Sequence, residues 1–450
     1  ADTGPTVLTM PDVVDATLAP VGEKLADRVE LIRLDPAYRA RFADGSTIDV
    51  HTDPDTMEAQ IADRVGPADA AGYRRLRSWL TRLYRAEIES FIGSNFDSPL
   101  GLLTPDLARL AALGGFGRWG RRIGRFVRDQ RLRRIFSFQA LYAGVAPQRA
   151  LAAYGVIAYM DTVAGVYFPR GGMRALPGAL ADAATEAGAT IRYGARVTGL
   201  ARRGGRAVAV RYLDGAGEPA RLDADAVVLT PDLPSAYALA RHTPRRLRRL
   251  RWAPSSVVFH AGGPAAPSAP DGRTGGGTDG GAHHTLSFGA AWRSTFDQVM
   301  RRGELMSDPS LLLTRPTVTD PSLAPRGHHL HYLLAPCPNT ARTDLDWSRL
   351  GPAYVEELRA VLSARGITTL DGPVEASGLS TPADWAGQGL AAGTPFSAAH
   401  TVAQTGPFRP ANLVRGWSNV VLAGCGTTPG VGIPPVLISG RLAALRITGG

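Results

Sequence analysis

The N-terminal part of the chain has the hydrophobic pattern of short strands. VELIRL at 29–34 is an apolar run of strand length, and YRARFADGSTIDV at 38–50 alternates apolar and polar positions. The second stretch is interrupted at Asp44-Gly45, a dipeptide typical of tight hairpin turns. The pattern predicts a strand followed by a hairpin.

Residues 67–168 instead carry apolar side chains at helical spacing, with a proline-containing break at 95–105. Within this region, GGFGRWGRRIGRFVRD at 114–129 predicts a basic amphipathic helix. The apolar side comprises Phe116, Trp119, Ile123, Phe126 and Val127. The basic side comprises Arg118, Arg121, Arg122, Arg125 and Arg128. Such a helix either lies on a membrane surface or packs its aromatic side chains into the core, and the sequence leaves both interpretations open.

A compact unit follows in which helix and strand patterns alternate. MRALPGALADAATEAG at 173–188 predicts a helix that ends at its last glycine. Strands are predicted over ATIRY (189–193), RVTGLA (196–201), RAVAVRYL (206–213) and DAVVLT (225–230). This order is typical of one half of a nucleotide-binding α/β domain.

The C-terminal part alternates strands and one long helix before a glycine-rich end. SSVVFHAG and HTLSFG are predicted strands on either side of a low-complexity loop at 262–281. A strand over HLHYLLAP and a helix over 351–366 come next. The chain then runs through NVVLAGCGTTPGVGIPPVLISGRLAALRI, a strand, a glycine-rich turn and a helix, in which the glycines let backbone amides approach a ligand closely.

Composition narrows the class of protein only slightly. The 450 residues carry a formal charge of +10, with Lys24 as the single lysine. The run RRLRRLRW lacks interleaved aromatic residues and is typical of a solvated helix face, so no nucleic acid partner is expected.

Two cysteines, Cys337 and Cys425, fit a reducing compartment. The longest apolar stretch, 150–168, contains Asp161 and does not predict a membrane span.

Other chemistries find little support in the sequence. His329 and His331 would share one face of a strand beside His328, but no acidic residue or cysteine at ligand spacing completes a metal set. We therefore expect no metal site. A Ser-His-Asp order or G-x-S-x-G elbow is also missing, which gives no support to hydrolase chemistry.

The glycine-rich end resembles the signature of bacterial-type phytoene desaturases. The matching residues are Asn419, Gly424, Cys425, Gly426, Thr427, Thr428, Pro429, Gly430, Gly432, Ile433 and Ser439. Family-like stretches occur in the expected order, namely DTGPTVLTMPD, RIFSFQALYAG, GVYFPRGGMRALPGAL, DAVVLTPDLPSAY and AGTPFSAAHT. The resemblance spans the chain, although Thr428 and Pro435 stand where His and Gly are commoner.

The resemblance implies an α/β fold built around a discontinuous FAD-binding Rossmann-like domain with its N-terminal part missing. It also implies a mixed-sheet substrate domain and a helical membrane-facing subdomain. We assign 1–30, 166–240 and 385–450 to the FAD-binding domain, 31–75 and 241–384 to the substrate domain, and 76–165 to the helical subdomain.

The same resemblance assigns cofactor and substrate residues. FAD is expected near Gly424, Gly426, Thr427, Pro429, Gly430, Gly432 and Ile433, with Gly171 and Gly172 close to the flavin and the backbone of Val197 beside the adenine. The expected lining of an apolar tunnel for a carotenoid substrate is Phe136, Phe138, Tyr142, Tyr167 and Phe168. No catalytic acid or base is assigned.

One departure from the family pattern concerns the FAD fingerprint. A strand, G-x-G-x-x-G and a helix normally precede the GPT segment, with which this sequence begins. We expect roughly 50 residues of this opening to be absent, and FAD binding to be impaired as a result.

The predicted function is flavin-dependent desaturation of phytoene toward lycopene or a related polyene, with electrons passing to oxygen or a membrane quinone. Two alternatives stay open: a carotenoid ketolase or other flavin oxidoreductase on the same scaffold, and a non-catalytic membrane-associated carotenoid-binding remnant. The expected location is the cytoplasmic face of the cell membrane, as a peripheral protein.

Overall fold

The computed structural model describes residues 4–96, 101, 103–264 and 281–449. Its strands are β1 Leu31–Arg33, β2 Tyr38–Phe42, β3 Thr47–Val50, β4 Tyr167–Pro169, β5 Arg196–Arg203, β6 Arg206–Leu213, β7 Pro219–Asp223, β8 Val227–Leu229, β9 Ser255–Pro264, β10 His284–Phe288, β11 Leu311–Thr314, β12 His328–Cys337, β13 Ala376–Ser380 and β14 Val420–Leu422. Most of the predicted low-complexity loop lies outside the described residues.

Helices connect and cover these strands. They are α1 Pro11–Leu18, α2 Leu25–Arg28, α3 Pro54–Arg64, α4 Pro67–Glu87, α5 Pro105–Ala112, α6 Trp119–Ile123, α7 Gln130–Ile135, α8 Gly155–Tyr159, α9 Ala175–Glu186, α10 Leu233–Leu239, α11 Arg293–Asp297, α12 Pro316–Thr319, α13 Trp347–Ala364, α14 Pro382–Gly387 and α15 Ile433–Thr448. Within the described ranges, no helix combines the length and the apolar character needed to cross a bilayer.

A mixed sheet of seven strands forms the largest layer, in the order β13, β9, β12, β11, β10, β2, β3. Its pairs are antiparallel except β10 with β2, which run parallel. The predicted hairpin is present as β2 and β3, with Gly45 at φ 80° in the turn. The buried residues of α13, such as Tyr354 and Leu358, pack against Phe259 and Leu333 of the sheet.

The α/β unit consists of two smaller sheets. Strands β5, β6 and β7 form an antiparallel sheet, while β8 pairs in parallel with β14 from the C-terminal end. The strand predicted over 189–193 is wrong. Ala189 donates its N–H to the carbonyl of Ala184 at the end of α9, and Ile191 and Tyr193 are 41% and 83% exposed, so this segment has no apolar face to bury.

The helical region packs around α4, whose 21 residues bury one apolar side. The long helix predicted over 114–129 is wrong, because only Trp119–Ile123 is helical. Trp119 is 1% exposed, and its ring stacks on Trp79 of α4 with centroids 5.6 Å apart. Ile123 and Val127 are buried as well, so most of the apolar side lies in the core. Phe116 differs, since its side chain is 53% exposed.

Candidate active site

The glycine-rich turn joins β14 to α15. Gly424 follows the strand with φ 110°, and its N–H donates to Oγ of Ser439 in α15 over 3.1 Å. Gly432 precedes the helix with φ 118°. A positive φ is unfavourable for residues with a Cβ, so both positions call for glycine. Because two prolines follow Ile433, the first turn of α15 has fewer free N–H groups than an ordinary helix start.

Asn419 fixes the start of this segment. Its side-chain oxygen accepts the N–H of Ala207 over 2.8 Å, and its amide nitrogen donates to the carbonyls of Ala207 and Asp225 at 2.8 and 2.6 Å. Asn419 is 8% exposed. The side chain therefore ties β14 to β6 and to the segment that enters β8.

Gly430 marks the closest approach in the turn. A Cβ at this position would lie 2.2 Å from Cε1 of His400, far inside contact distance, and φ is 144°. A Cβ at Gly426 would meet Leu233 at 2.6 Å. The two glycines let the turn pass against buried side chains that any larger residue would displace.

The buried side chain of Arg409 is hydrogen-bonded to the backbone of the turn. It is 1% exposed, and its guanidinium donates to the carbonyls of Thr427 at 2.9 Å, Ala398 at 3.2 Å and Cys425. Burial lowers the pKa of Arg409 to about 10. Three backbone carbonyls converge on one planar cation, so the fork geometry of arginine fixes the path of the turn.

His400 and Tyr154 are ionisable groups buried close to Arg409, and Glu87 is buried near Tyr154. The ring of His400 contacts that of Tyr154 edge-on at 5.6 Å, and the Tyr154 hydroxyl is hydrogen-bonded to Thr405. Burial holds the pKa of His400 well below its ordinary value and that of Glu87 well above it. Nε2 of His400 and Oε1 of Glu87 have no hydrogen-bond partner among the described residues. Burial thus favours the neutral form of both side chains.

The second predicted glycine segment lies after β4. Gly171 and Gly172 have φ of 83° and 91°, and the Gly171 N–H donates to Oδ2 of Asp320 over 2.8 Å. A Cβ at Gly171 would meet nothing within 4 Å in the part of the chain that the structure describes, so the backbone faces open space. Tyr167 of β4 donates its N–H to the carbonyl of Leu8.

The two glycine segments share one hydrophobic core. Leu8, Val14 and Phe168 belong to it, and Ile433 and Leu437 at the start of α15 pack against it. The structure thus brings the β4 segment and the glycine-rich turn to neighbouring parts of the molecule. Val197 lies apart from this core near the start of β5, paired with Tyr212 and 40% exposed.

An apolar cavity lies between the helical region and the seven-stranded sheet. Two of the predicted tunnel residues, Phe138 and Tyr142, line it. The rest of its wall comprises Leu141, Leu286, Phe288, Trp292, Thr295, Phe296, Val299, Met306, Ser310, Leu311, Leu312, Leu334 and Pro336. This aromatic and apolar wall suits a hydrocarbon.

The other predicted tunnel residues lie elsewhere. Phe136 stacks on Tyr73 with centroids 5.8 Å apart in the helical core. Phe168 is 1% exposed and packs on His283 at 4.5 Å. Tyr167 pairs with Arg33 in the short sheet of β1 and β4. These three aromatic residues are not part of the cavity wall described above.

Asp161 was not assigned a role from the sequence, yet its position is chemically informative. It is 3% exposed, and the Tyr38 hydroxyl donates to its Oδ2 over 3.2 Å. Burial raises the pKa of Asp161 to about 7, against the smaller lowering effect of hydrogen bonds from Tyr38 and Gln139. The signal available in the sequence was a lone acidic residue inside the apolar stretch 150–168.

Two of the three histidines of β12, His328 and His329, make hydrogen bonds to nearby side chains. His329 lies 3.1 Å from Oγ1 of Thr317, and Nε2 of His328 lies 3.1 Å from a carboxylate oxygen of Glu375. Among the residues that the structure describes, no group of three or more His, Cys, Asp or Glu side chains is arranged to hold a metal ion.

Residues 1–448 match the family described as flavin containing amine oxidoreductase. The chain belongs to this family. A phytoene dehydrogenase from Streptomyces griseus is 63% identical over 450 residues, which is 100% of this chain and 86% of the relative. A zeta-carotene-forming phytoene desaturase from Myxococcus xanthus is 34% identical over 453 residues, covering 99% of this chain and 84% of that protein. The predicted resemblance is thereby confirmed.

The fold likeness extends to more distant proteins. An oxidoreductase from Methanosarcina mazei superposes with a TM-score of 0.53 at 15% identity, over 91% of this chain and 81% of that one. At this identity the likeness concerns the fold alone. It agrees with the predicted α/β architecture and its mixed sheet.

The residues of the glycine-rich turn fit a flavin. The backbone at Gly171 faces open space, and Nε2 of His400, which lies against Gly430 of the turn, is a buried polar atom that lacks a partner among the described residues. Close backbone approach and an uncommitted polar group are what a large planar heterocycle with ring nitrogens and carbonyls requires. Flavin-dependent oxidoreductase chemistry, predicted from the sequence, agrees with the family.

Proposed function

We propose that the chain is a carotenoid desaturase that dehydrogenates phytoene toward lycopene or a related polyene. The single observation that carries the proposal is the apolar, aromatic cavity of a protein whose glycine-rich turn fits a flavin. The phytoene dehydrogenase and phytoene desaturase relatives support the substrate class.

The turn residues Gly424 to Ile433 and the pair Gly171 and Gly172 would hold the flavin. When bound, FAD supplies the acceptor for a hydride removed from the substrate. The chain itself contributes rigidity, because Arg409 fixes three carbonyls of the turn and its neighbouring loop. Val197 would lie beside the adenine. The guanidinium of Arg409 places one cation beside the turn, and burial favours the neutral forms of His400 and Glu87.

The cavity would hold the reacting segment of the polyene and keep water away from it. Phe138, Tyr142 and Phe288 present aromatic surface to a conjugated chain. The enclosed volume is about 60 Å³, below the roughly 300–1,000 Å³ of typical ligand sites. Binding of a long polyene therefore requires side chains of the wall to move apart.

We also propose that the protein binds the cytoplasmic face of the membrane, where its substrate is dissolved, and passes electrons to oxygen or a quinone. The support is local. Leu103 and Phe116 are 75% and 53% exposed, and Phe116 lies in a segment with five arginines between 118 and 128. Exposed apolar side chains beside cations suit an anionic bilayer surface.

The test is conversion of phytoene in liposomes by the purified protein supplied with FAD. We expect a flavin spectrum in the purified complex and products with additional double bonds, identified by absorption and mass. Products that have gained oxygen would indicate a ketolase instead. A protein that binds liposomes and carotene without turnover would identify a non-catalytic carotenoid-binding remnant and contradict the proposal.

A further inference from the structure

Removal of two hydrogens from a carbon-carbon bond requires two acceptors. One hydrogen leaves with its bonding pair as a hydride, for which the flavin is the acceptor in the function proposed above. The other leaves the adjacent carbon as a proton, and the electron pair of that C–H bond becomes the new π bond. The proton acceptor must therefore be sought among the side chains that reach the cavity.

Tyr142 is the ionisable side chain in the wall of the cavity. Its ring contacts Phe138 edge-on, and Phe138 in turn contacts Tyr38 edge-on with ring centroids 5.6 Å apart. The Phe138 ring therefore packs against both tyrosines. The side chains of Tyr142 and Tyr38 lie close enough to shift each other's pKa. Tyr142 thus connects the cavity to a group buried behind it.

Behind Tyr142, the Tyr38 hydroxyl donates to the Asp161 carboxyl over 3.2 Å. The Gln139 side chain lies nearby and lowers the pKa of this carboxyl. His284 packs on the ring of Tyr38 and is neutral, since burial holds its pKa well below the ordinary value. Among the described residues, no arginine or lysine is one of the groups that shift the Asp161 pKa. The carboxyl is therefore free to exchange a proton with Tyr38 rather than being locked as a carboxylate by a cation.

The local backbone agrees with a functional role for Asp161. It lies in a π-helical turn, Met160–Ala164, that directly follows α8. Such turns are rare and occur frequently at functional sites. The turn places an acidic side chain inside a predominantly apolar core, which is costly unless the group is used or well paired.

We propose that Asp161 is the buried proton acceptor of the desaturation, reached from the cavity through Tyr142 and Tyr38. In this step the Tyr142 oxygen takes the proton from the substrate carbon as its own proton passes to Tyr38. The Tyr38 proton passes to the Asp161 carboxylate. Both tyrosines end neutral, Asp161 ends protonated, and the substrate gains one double bond. The inference rests on the proposed desaturase function.

Asp161 acts through the tyrosines, so its test needs a readout that a structural role would not change. The accepting form is the carboxylate, whose fraction grows as pH rises through about 7. Turnover of phytoene by the FAD-loaded protein should therefore rise across that pH. In Asp161→Asn we expect turnover to fall roughly 100-fold or more and this rise to disappear.

Tyr142→Phe provides the second variant, since it removes only the hydroxyl of this cavity-lining residue and keeps the ring. We expect a comparable loss of turnover with unchanged flavin binding and melting temperature. Tyr354→Phe is the matched control, because Tyr354 is a buried tyrosine of α13 whose hydroxyl has no partner among the described residues. It should retain wild-type turnover.

A measurement that does not depend on catalytic turnover tests this inference separately from the proposed function. Infrared spectra taken as the pH is raised from about 5 to about 9 should show one buried carboxyl band that titrates near pH 7 and is missing in Asp161→Asn. Failure of the wild type to convert phytoene would overturn the proposed function. Wild-type turnover with an unchanged pH profile in both Asp161→Asn and Tyr142→Phe, or no titrating band, would overturn the relay.

Discussion

Two separate constraints, one on backbone conformation and one on space, favour glycine at a single position of the glycine-rich turn. At Gly430, the backbone has φ 144° and a Cβ would lie 2.2 Å from the His400 ring. Either constraint alone disfavours a side chain, the first through backbone strain and the second through steric overlap. The combination explains why the turn can lie so close to buried aromatic groups.

Gly430→Ala should therefore destabilise the protein by about 1–3 kcal/mol from backbone strain alone and weaken flavin binding. Gly440→Ala is the matched control, because this glycine lies exposed inside α15 and a Cβ there would meet no other described atom within 4 Å. It should stabilise the helix by up to about 1 kcal/mol. Denaturant unfolding and FAD titration measure both effects. Equal changes in stability and in FAD affinity for the two variants would show that glycine is not specifically required at position 430.

The buried acid Asp161 predicts a pH dependence of stability. Its pKa of about 7 in the folded protein lies above the ordinary 3.8, so the folded state holds a proton that the unfolded state releases near pH 4. The stabilisation is complete below about pH 4 and is lost as pH rises toward 7, by at most about 4 kcal/mol.

Asp161→Asn should lack this loss. The quantity to compare is the free energy of unfolding of wild type and variant from about pH 4 to about pH 8. Buried His283, His284 and His400 have lowered pKa values and contribute a dependence of opposite sign, but they are present in both proteins and cancel in the difference. A difference that does not vary with pH would show that Asp161 titrates normally.

At the scale of elements, the segment 114–129 shows how one pattern can support two structures. Its apolar residues have helical spacing, but only Trp119–Ile123 forms a helix. Five glycines weaken a longer helix, and burial of Trp119 against Trp79 compensates only within the short helical part. The exposed Phe116 is the remaining candidate for contact with a bilayer.

Trp119→Ala should cost about 3–5 kcal/mol of stability, because it empties a fully buried aromatic site. Phe116→Ala should change stability by no more than about 0.5 kcal/mol, yet lower the fraction of protein that floats with anionic liposomes. Thermal unfolding and flotation distinguish the two residues. Unchanged flotation of Phe116→Ala would remove this side chain from the proposed membrane contact.

At the scale of the whole molecule, the candidate site depends on contacts between distant parts of the chain. Strand β14 pairs with β8, and Asn419 bonds to Ala207, 212 positions away. His400 has no partner for Nε2 among the described residues but lies against Gly430 and Tyr154. The site is therefore assembled only when the α/β unit and the helical region are both folded.

A ligand that binds only this assembled site should stabilise the whole protein. FAD at 100 times its dissociation constant should raise the free energy of unfolding by about 2.7 kcal/mol. Riboflavin, which lacks the phosphates and adenine, is the comparison ligand and should give a smaller shift in melting temperature. Equal shifts for FAD and riboflavin would indicate that the adenine half, including the contact proposed at Val197, contributes nothing.

Much of the architecture was predictable from local patterns. The hairpin at Asp44-Gly45, the long helix α4 and the succession of strand, glycine-rich turn and helix at the C-terminus follow from residues adjacent in sequence. The segment at 189–193 was predicted wrongly, since its apolar residues match a strand pattern but stay exposed in the folded protein. The domain boundaries and the individual cofactor residues stay predictions.

The family could be recognised from the amino-acid sequence alone, because glycine spacing and helix periodicity are properties of consecutive residues. Packing of the folded chain, by contrast, places Tyr142 but not Phe136 in the wall of the cavity and brings Asp161 to Tyr38 across 123 positions of sequence. The physical reason is that burial and hydrogen bonding depend on neighbours in space. A local pattern cannot specify which distant side chain will become that neighbour.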